Sequence, residues 1–307
     1  MSLGSVACVD PATSDSDTMS ATLRVVTILL LCSLPELATA WGDLGHETIA
    51  WIAQSYVSST TASAIKDILG LTQSDYMANV STWADTYRYT SGGRWSAPLH
   101  FIDANDSPPS SCSVEYSRDC GSTGCSISAI VNYTSILLDD ESSDTTRYDA
   151  MKFLIHFIGD LHQPLHDEAL DVGGNDINVT YDGDHTNLHH IWDTEIVEQL
   201  ADGASAESFA KNLTASIKAG SNGWDVNSWL DGTTLNDTLS TAITWAKEAN
   251  GYVCSDVLSA GIDAVEKGDL SGSYYKAHFD VARVQIARAG YRLGAWLNLI
   301  FTGKTAG

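Results

Sequence analysis

The chain has 307 residues, a formal net charge of −23 at pH 7 and 44% hydrophobic residues. This acidic balance argues against a protein that grips a nucleic-acid backbone with lysine and arginine, because such proteins are normally basic. The apolar residues suffice for a folded core, but no segment reaches the roughly 20 apolar residues that span a bilayer.

The first 40 residues have the pattern of a secretory signal region. An apolar run follows Arg24 and leads, after a proline, to the small residues Ala38-Thr39-Ala40. This order is typical of a signal peptide that ends in an A-x-A cleavage site. We therefore expect a secreted, extracellular protein that begins at Trp41. Met19 is an alternative start of the precursor, because residues 1–18 are polar and acidic.

Residues 41–307 contain no linker, internal repeat or low-complexity segment, so we expect one domain. They hold four cysteines, an even number in a chain predicted to be secreted, and two disulfides are expected. The sequence alone permits three pairings. We prefer Cys120 with Cys125, which closes a short loop and leaves Cys112 with Cys254.

Hydrophobic periodicity predicts an all-α fold. Apolar residues recur at three-to-four spacing in residues 45–57, 126–140, 147–162, 188–200, 205–220, 233–250 and 278–301. Strand-like alternation is scarce outside residues 177–183. Long loops are predicted around residues 87–125 and 168–187.

Six N-x-S/T sequons follow the predicted cleavage site, and this suits a secreted glycoprotein. Their asparagines are Asn79, Asn105, Asn132, Asn178, Asn212 and Asn236. We expect several of the six to carry a glycan.

Two of the predicted helices carry the same pair of side chains. His156 and Asp160 are four residues apart, and so are His189 and Asp193, so each imidazole lies beside a carboxylate on one helical face. A single pair of this kind is usually a surface ion pair. Two pairs in apolar helices favour metal binding, because a buried ionised carboxylate needs a strong partner.

Further candidate ligands are His166, His100 and Asp85, which stand beside predicted loops. A set of histidines and aspartates without a Cys-x-x-Cys motif favours a hydrolytic zinc site over a structural zinc finger. The other histidines are assigned to packing, helix surface or support of the ligands: His162, His185, His190 and His278.

The motifs together resemble the secreted zinc-dependent nucleases of fungi and plants, the type I or single-strand-specific nucleases with 3'-nucleotidase activity. The matching segments, in chain order, are WGDLGH, STWAD, HFID, FLIHFIGDLHQPLH, GGN and NLHHIWD. The resemblance implies a single compact multi-helix domain of the type shared with zinc phospholipase C, with long loops and two disulfides.

The resemblance also implies three zinc ions per chain. Asp85, His100, His156 and Asp160 would hold one ion. The α-amine and carbonyl of Trp41, with His46 and a shared Asp160, would hold its close neighbour. His166, His189 and Asp193 would hold the third. An open position would remain for water or phosphate.

The implied reaction is hydrolysis of single-stranded DNA and RNA to 5'-phosphorylated nucleotides, with removal of phosphate from 3'-mononucleotides. A hydroxide that bridges the close pair of metals would attack phosphorus, and Asp85 would take part as a ligand of that pair. Arg88, three residues after Asp85, is the natural cation for charge that develops on the phosphate.

A nucleobase slot is implied next to the His100 ligand. Phe101 would stack on the base, Asp103 would bind its edge and Val172 would line the other side; Phe101 and Val172 are alternatively ordinary core residues. A stacking slot explains a preference for single strands, because a duplex hides its base faces. The zinc ions, not lysine or arginine, would attract the phosphate to this acidic chain, for which we expect an acidic activity optimum.

Two other functions fit parts of the pattern. A zinc phospholipase C would use the same metals, but HFID, GGN and the four cysteines favour a nuclease. A secreted metal-sequestering glycoprotein would need only clustered histidine or cysteine tracts, not ligands from separate segments that converge with an arginine. We expect no membrane association and no obligate protein partner, and hence a monomer.

Overall fold

The computed structural model describes residues 41–306, and the expected signal region and its cleavage site lie outside that range. The described chain is mostly helical, with one two-stranded antiparallel sheet, as the sequence predicts. The α-helices are α1 Asp43–Gln54, α2 Ser59–Leu69, α3 Trp83–Tyr87, α4 Tyr116–Asp119, α5 Ser126–Leu138, α6 Asp144–Asp160, α7 Leu188–His190, α8 Ile196–Ala201, α9 Ala206–Ala219, α10 Thr238–Tyr252, α11 Ile262–Val265 and α12 Ser273–Thr302. The strands are β1 Asn178–Tyr181 and β2 Asp184–Asn187.

Several short turns of other helix types connect these elements. Five-residue π-helical turns at Ile191–Glu195 and Val253–Val257 follow α7 and α10. The predicted loops contain structure of their own: the first holds the 3-10 helix Arg94–His100 and α4, and the second holds both strands. Helix α2 lies outside the seven segments that periodicity predicted.

Helix α6 ends slightly earlier than predicted. The segment 147–162 was expected to be helical, but α6 ends at Asp160 and Pro164 begins a 3-10 turn, Pro164–Asp167. Gln163, just before the proline, has an extended backbone, the conformation that a following proline ring favours. The early end separates His166 from α6 and places it on the 3-10 turn.

Helices α1 and α12 approach each other closely at the centre of the core. A Cβ atom on Gly290 would lie 2.5 Å from Cβ of Ile52, and one on Gly294 would lie 3.0 Å from the carbonyl oxygen of Ala53. Only glycine permits this approach without displacement of α1. The contact fixes α1, which carries His46, against the longest helix of the fold.

Helix α6 is enclosed along its second half. Every residue from 150 to 160 is buried, including His156 and Asp160. Its neighbours include α1, α2, α3, α5 and α12. An ionisable pair in so enclosed a helix requires partners from other elements, since an isolated buried charge is strongly unfavourable.

Two disulfides join loops to the helical core. Cys112 is bonded to Cys254 in the π-turn after α10, and Cys120 is bonded to Cys125 at the start of α5. This is the preferred pairing of the three that the sequence allowed. The first bond closes a loop over a sequence separation of 142 residues, the kind of closure that most restricts an unfolded chain. Among the described helices, none is both long and apolar enough to cross a bilayer.

Candidate metal centre and adjoining cavity

Trp41, the first residue that the structure describes, lies inside the protein. Its side chain is fully buried, and its indole Nε1–H donates to the carbonyl oxygen of Gly159, 3.0 Å away. The next peptide N–H, of Gly42, donates to the carbonyl oxygen of Asp193 at 2.8 Å. These two bonds hold the start of the described chain between the end of α6 and the first π-turn.

Five buried side chains from four segments meet beside Trp41, and we call them the first cluster. They are His46 of α1, Asp85 of α3, His100 of the 3-10 helix, and His156 and Asp160 of α6. Asp160 lies at the middle: its Oδ1 is 3.1 Å from Nε2 of His46, and its Oδ2 is 3.0 Å from Nδ1 of His100 and 3.3 Å from Nε2 of His156.

Asp85 completes the first cluster on the side of α3. Its Oδ1 lies 3.5 Å from Nε2 of His156 and 3.6 Å from Nδ1 of His100. His46 and His156 stack with ring centroids 3.9 Å apart. Gly159 allows this stack, because a Cβ at that position would lie 3.0 Å from Nδ1 of His46.

A second cluster consists of His166, His189 and Asp193. The Nε2 atoms of the two histidines are 3.1 Å apart, and Nε2 of His189 is 3.2 Å from Oδ2 of Asp193. Gln163 also belongs here, because its side-chain amide donates to Oδ1 of Asp193 at 2.6 Å. Periodicity gives no signal for Gln163, which lies between helices.

Backbone carbonyl groups orient three of the five histidines. In each case the ring Nδ1 donates to a backbone carbonyl oxygen at 2.6–2.8 Å: His156 to that of Ser81, His166 to that of His100, and His189 to that of Gly173. In the neutral form of each ring, which a metal ion requires, this leaves Nε2 without a proton and turned towards the cluster. Such an outer bond fixes the tautomer of a metal-ligating histidine.

Gly173 must be glycine for this arrangement. Its φ is +62°, and a Cβ on it would lie 2.8 Å from the carbonyl oxygen of Leu165 and 3.4 Å from Nδ1 of His189. The close approach lets the Gly173 carbonyl reach the His189 ring. This gives a structural reason for the first glycine of the GGN motif.

The donor atoms of both clusters fit metal ions. Several buried donor atoms make no hydrogen bond within residues 41–306, although some of them lie 3.1–3.2 Å from an atom of opposite charge: both nitrogens of His46, both carboxylate oxygens of Asp85, Nε2 of His100, Oδ1 of Asp160 and Oδ2 of Asp193. Buried polar atoms are normally paired, so this many together call for another partner. Imidazole and carboxylate are the donors that hydrolytic zinc uses.

The electrostatics of the first cluster favour positive charge. Burial lowers the pKa of His156, but the carboxylates of Asp160 and Asp85 outweigh burial and raise that pKa to about 10. Burial raises the pKa of Asp85, and the charge of His156 outweighs it and lowers the pKa to about 2. Burial lowers the pKa of His100 to about 4. A site that holds two ionised carboxylates in the core attracts cations.

Arg88 stands at the edge of the first cluster. It follows α3, and its Nη2 lies 3.5 Å from Oδ1 of Asp85. The side chain is 10% exposed. A guanidinium in this position can reach an anion that approaches the clusters from solvent.

An open cavity of about 120 Å³ lies beside the second cluster and extends to Arg88 at the edge of the first, and we call it the Arg88 cavity. The predicted phosphate-binding and base-slot residues all line it together with two of the predicted ligands: Arg88, Phe101, Asp103, Val172, His166 and His189. Glu168, Asn175, Leu165 and Gly173 complete the lining, and of these only Glu168 lies outside the motifs that the sequence pointed to.

Val172 is not a core residue. It is 63% exposed and has a φ of +58°, a conformation that is strained for a β-branched residue. Asn175 holds this turn, because its side-chain amide donates to the carbonyl oxygen of Val172 at 2.9 Å. Phe101 is half-buried and Asp103 exposed, so all three base-slot candidates face accessible space.

The four remaining histidines belong to neither cluster. His162 is buried and bonded to Ile158 and Arg292, His190 contacts Glu195, and His278 lies 3.5 Å from Asp256. His185 lies on β2 beside Thr180. Their positions agree with the packing and surface roles expected for them.

The family model and the similar sequences place this chain in one family. Residues 41–302 match the family model described as S1/P1 Nuclease. The chain is 54% identical to "Nuclease S1" of Aspergillus oryzae over 271 residues, covering 87% of this chain and 94% of that protein. It is 49% identical to "Nuclease P1" of Penicillium citrinum (87% and 100%), and 35% identical to "Endonuclease 3" of Arabidopsis thaliana (93% and 97%). A crystal structure of Clostridium perfringens alpha-toxin overlaps with a TM-score of 0.42 at 18% identity, covering 87% of this chain and 65% of that chain.

Proposed function

Because this chain belongs to the S1/P1 nuclease family, we propose that it is a secreted zinc-dependent endonuclease that hydrolyses single-stranded DNA and RNA. It is a hydrolase of phosphodiester bonds. Its products are 5'-phosphorylated nucleotides, and it removes phosphate from 3'-mononucleotides. It acts as a monomer without a membrane or an obligate protein partner.

The observation that carries this proposal is the Arg88 cavity. Arg88, Phe101 and Val172 line one opening together with His166 and His189. An aromatic face, a guanidinium and metal-binding side chains within one small space suit a substrate that has a flat apolar group joined to a phosphate. A nucleotide has that chemistry.

The two clusters hold three zinc ions in this proposal. Asp85, His100, His156 and Asp160 would bind one ion. Trp41, through its α-amine and carbonyl, would bind the second with His46 and the shared Asp160. His166, His189 and Asp193 would bind the third. Bound zinc supplies a water of lowered pKa and polarises the phosphate oxygens. The central position of Asp160, within 3.3 Å of three imidazoles, supports its shared role.

Arg88 binds the non-bridging oxygens of the scissile phosphate and stabilises the negative charge that grows on them. Asp85 orients the guanidinium from 3.5 Å and remains ionised, because its pKa is lowered to about 2. Preorganised charge of this kind costs no rearrangement during the reaction. The arginine therefore contributes to turnover more than to the initial encounter with substrate.

Phe101 and Val172 hold the base between them, and Asp103 accepts hydrogen bonds from its edge. Stacking on an aromatic ring contributes about 1–3 kcal/mol per base with little sequence preference. A base inside a duplex exposes neither face to Phe101. This explains selectivity for single strands without any contact to a particular sequence.

The acidic composition is compatible with this substrate. The charges that meet the phosphate are local: zinc ions, which are the largest charges of a metal site, and Arg88. Few other cations are available to hold distant phosphates, so the chain grips only a short stretch of nucleic acid. Low sequence specificity follows.

Secretion is supported by the surface of the protein. All six sequon asparagines are exposed, and four cysteines form two disulfides. Both features suit passage through an oxidising, glycosylating compartment.

The proposal is tested by comparison of two substrates under the same conditions. We expect release of acid-soluble nucleotides from denatured DNA and no hydrolysis of phosphatidylcholine. Both substrates are phosphodiesters, so the comparison tests substrate class and not bond type. Cleavage of the lipid alone would overturn the nuclease assignment.

A further inference from the structure

A second cavity, larger than the Arg88 cavity, lies between α5, α6 and the 3-10 helix Arg94–His100. Its volume is about 540 Å³, within the range of pockets that hold small molecules. We call it the Trp95 cavity after its most exposed aromatic residue. Neither cluster contributes a metal-ligand candidate to its lining.

The apolar part of the Trp95 cavity is aromatic. Trp95 is 55% exposed, more than any other large aromatic side chain among residues 41–306. Its ring stands edge-on to Phe153, 5.8 Å between centroids, and Phe153 stacks on Tyr133 at 4.9 Å. An exposed indole that continues into buried aromatic rings at a cavity is an apolar patch of the kind that often marks a binding site.

The rim of the Trp95 cavity is polar. Thr123 and Thr145 are exposed there, and Asp149 has a side chain that is 44% exposed. Hydroxyl and carboxylate groups around an aromatic platform match the chemistry of a sugar, which has apolar C–H faces and hydroxyl groups at its edges. The match is poorer for a purely apolar ligand.

One sequon asparagine is part of the same lining. Asn132 lies on α5 between Ala129 and Ile136, which share its helical face and also line the cavity. Its side chain is exposed. None of the other five sequon asparagines lines the Trp95 cavity or the Arg88 cavity.

We propose that the N-linked glycan of Asn132 fills the Trp95 cavity, with its first N-acetylglucosamine packed against the Trp95 indole. The occupant is attached at the wall of the cavity that it covers, so little chain freedom is lost on docking. The glycan excludes water from Trp95, which lies next to the buried rings of Phe153 and Tyr133, and stabilises the packing of α5 on α6. The inference depends on the secretion that the proposed function includes, but not on nuclease activity.

The test compares the secreted glycoprotein with the variant Asn132→Gln. Mass spectrometry of the peptide that contains Asn132 must show a glycan, and its absence would overturn the proposal. Hydroxyl-radical labelling then measures solvent access to Trp95. We expect Trp95 oxidation to increase severalfold in Asn132→Gln and the melting temperature to fall by about 3 °C or more.

Asn212→Gln is the matched control, because Asn212 is an exposed sequon asparagine in the middle of α9 and lines neither cavity. It should leave Trp95 oxidation unchanged. Equal oxidation of Trp95 in all three proteins would contradict the proposal. If an added mononucleotide protects Trp95 in Asn132→Gln, while the glycan of the parent does not, the cavity belongs to substrate and the proposal is wrong.

A double-mutant cycle tests the contact itself. Trp95→Ala should lower the melting temperature of the glycosylated protein and have little further effect in Asn132→Gln. Additive effects would show that glycan and indole do not interact. Trimming of the folded glycoprotein to one sugar, which introduces no substitution, should preserve the protection of Trp95, and complete removal should abolish it.

Discussion

The indole N–H of Trp41 donates to the carbonyl oxygen of Gly159, the residue before Asp160, at 3.0 Å. The same tryptophan packs closely on α1: a Cβ atom added to Gly45 would lie 2.8 Å from the Cβ atom of Trp41. Trp41 is therefore held by its side chain next to the carboxylate at the middle of the first cluster. The proposed cleavage before Trp41 would create an amine at this place, and removal of the signal peptide would then be a chemical step in building the proposed zinc site.

A chain with one additional alanine before Trp41 should fold but lose zinc and activity. A peptide nitrogen is not a neutral amine ligand, so the second zinc ion would lose a donor. Loss of a hydrogen-bond partner of a metal ligand typically costs about 10- to 100-fold in metal affinity or activity. Loss of a direct ligand should cost at least as much. Metal analysis and nuclease assays of both chains check this. Full zinc content and activity in the extended chain would contradict the role of Trp41.

Arg88→Ala should lower kcat by about 10²–10³-fold, the usual cost of losing one preorganised group that stabilises transition-state charge. Zinc content should stay unchanged. Arg88→Lys should recover part of the loss, because an ammonium supplies charge but not the planar pair of donors. Arg94→Ala is the control, since Arg94 is exposed and lies outside the Arg88 cavity. A rise in KM with kcat unchanged would indicate that Arg88 only binds substrate.

Phe101→Ala should weaken binding of single strands by about 1–3 kcal/mol, the contribution of one stacked base. The ratio of activity on denatured DNA to activity on duplex should fall with it. Phe279→Ala provides a comparison, because Phe279 stacks on Tyr275 in α12 and lines neither cavity. An unchanged ratio of single-strand to duplex activity in Phe101→Ala would show that a residue other than Phe101 provides the selectivity for single strands.

Zinc removal should change how stability depends on pH. In the metal-free protein, Asp160 and Asp85 raise the pKa of His156 from 6.5 to about 10 against the effect of burial. That contribution is complete below pH 6.5 and is lost as the pH rises through 10. The zinc-loaded protein needs neutral imidazoles, so zinc binds better as the pH rises. The difference in melting temperature between the two forms should therefore widen from about pH 6 to pH 9. A metal-free protein that becomes more stable from about pH 6 to pH 9 would contradict the pairing of a protonated His156 with Asp160 and Asp85.

Much of the site could be predicted from the sequence, because its ligands repeat at helical spacing. His156 with Asp160 and His189 with Asp193 are separated by one helical turn, which any amphipathic pattern makes visible. Gln163 could not be found in this way, because its contact with Asp193 depends on how α6 ends and the π-turn follows. The exposed, strained backbone of Val172 likewise has no sequence signal besides the glycines that follow it.

The fold, like the site, could be predicted from the sequence only in part. The long apolar helices were predicted, although α10 and α12 have different starts from those expected. Helix α2 was missed despite two available signals: Ser58 caps its start by accepting from the Thr61 N–H, and Gly70 ends it with a φ of +63°. Only Thr61, Ile65 and Leu69 of α2 are buried, so its apolar stripe is narrow and easily overlooked.

The most direct measurement is the cleavage of one DNA sequence, denatured and duplex, by the processed protein before and after zinc removal by a chelator. The account predicts preferential cleavage of the denatured strand to products with 5'-phosphates, loss of cleavage in the zinc-free protein, and recovery when zinc is restored. Undiminished cleavage without zinc, or equal cleavage of duplex and single strand, would contradict it.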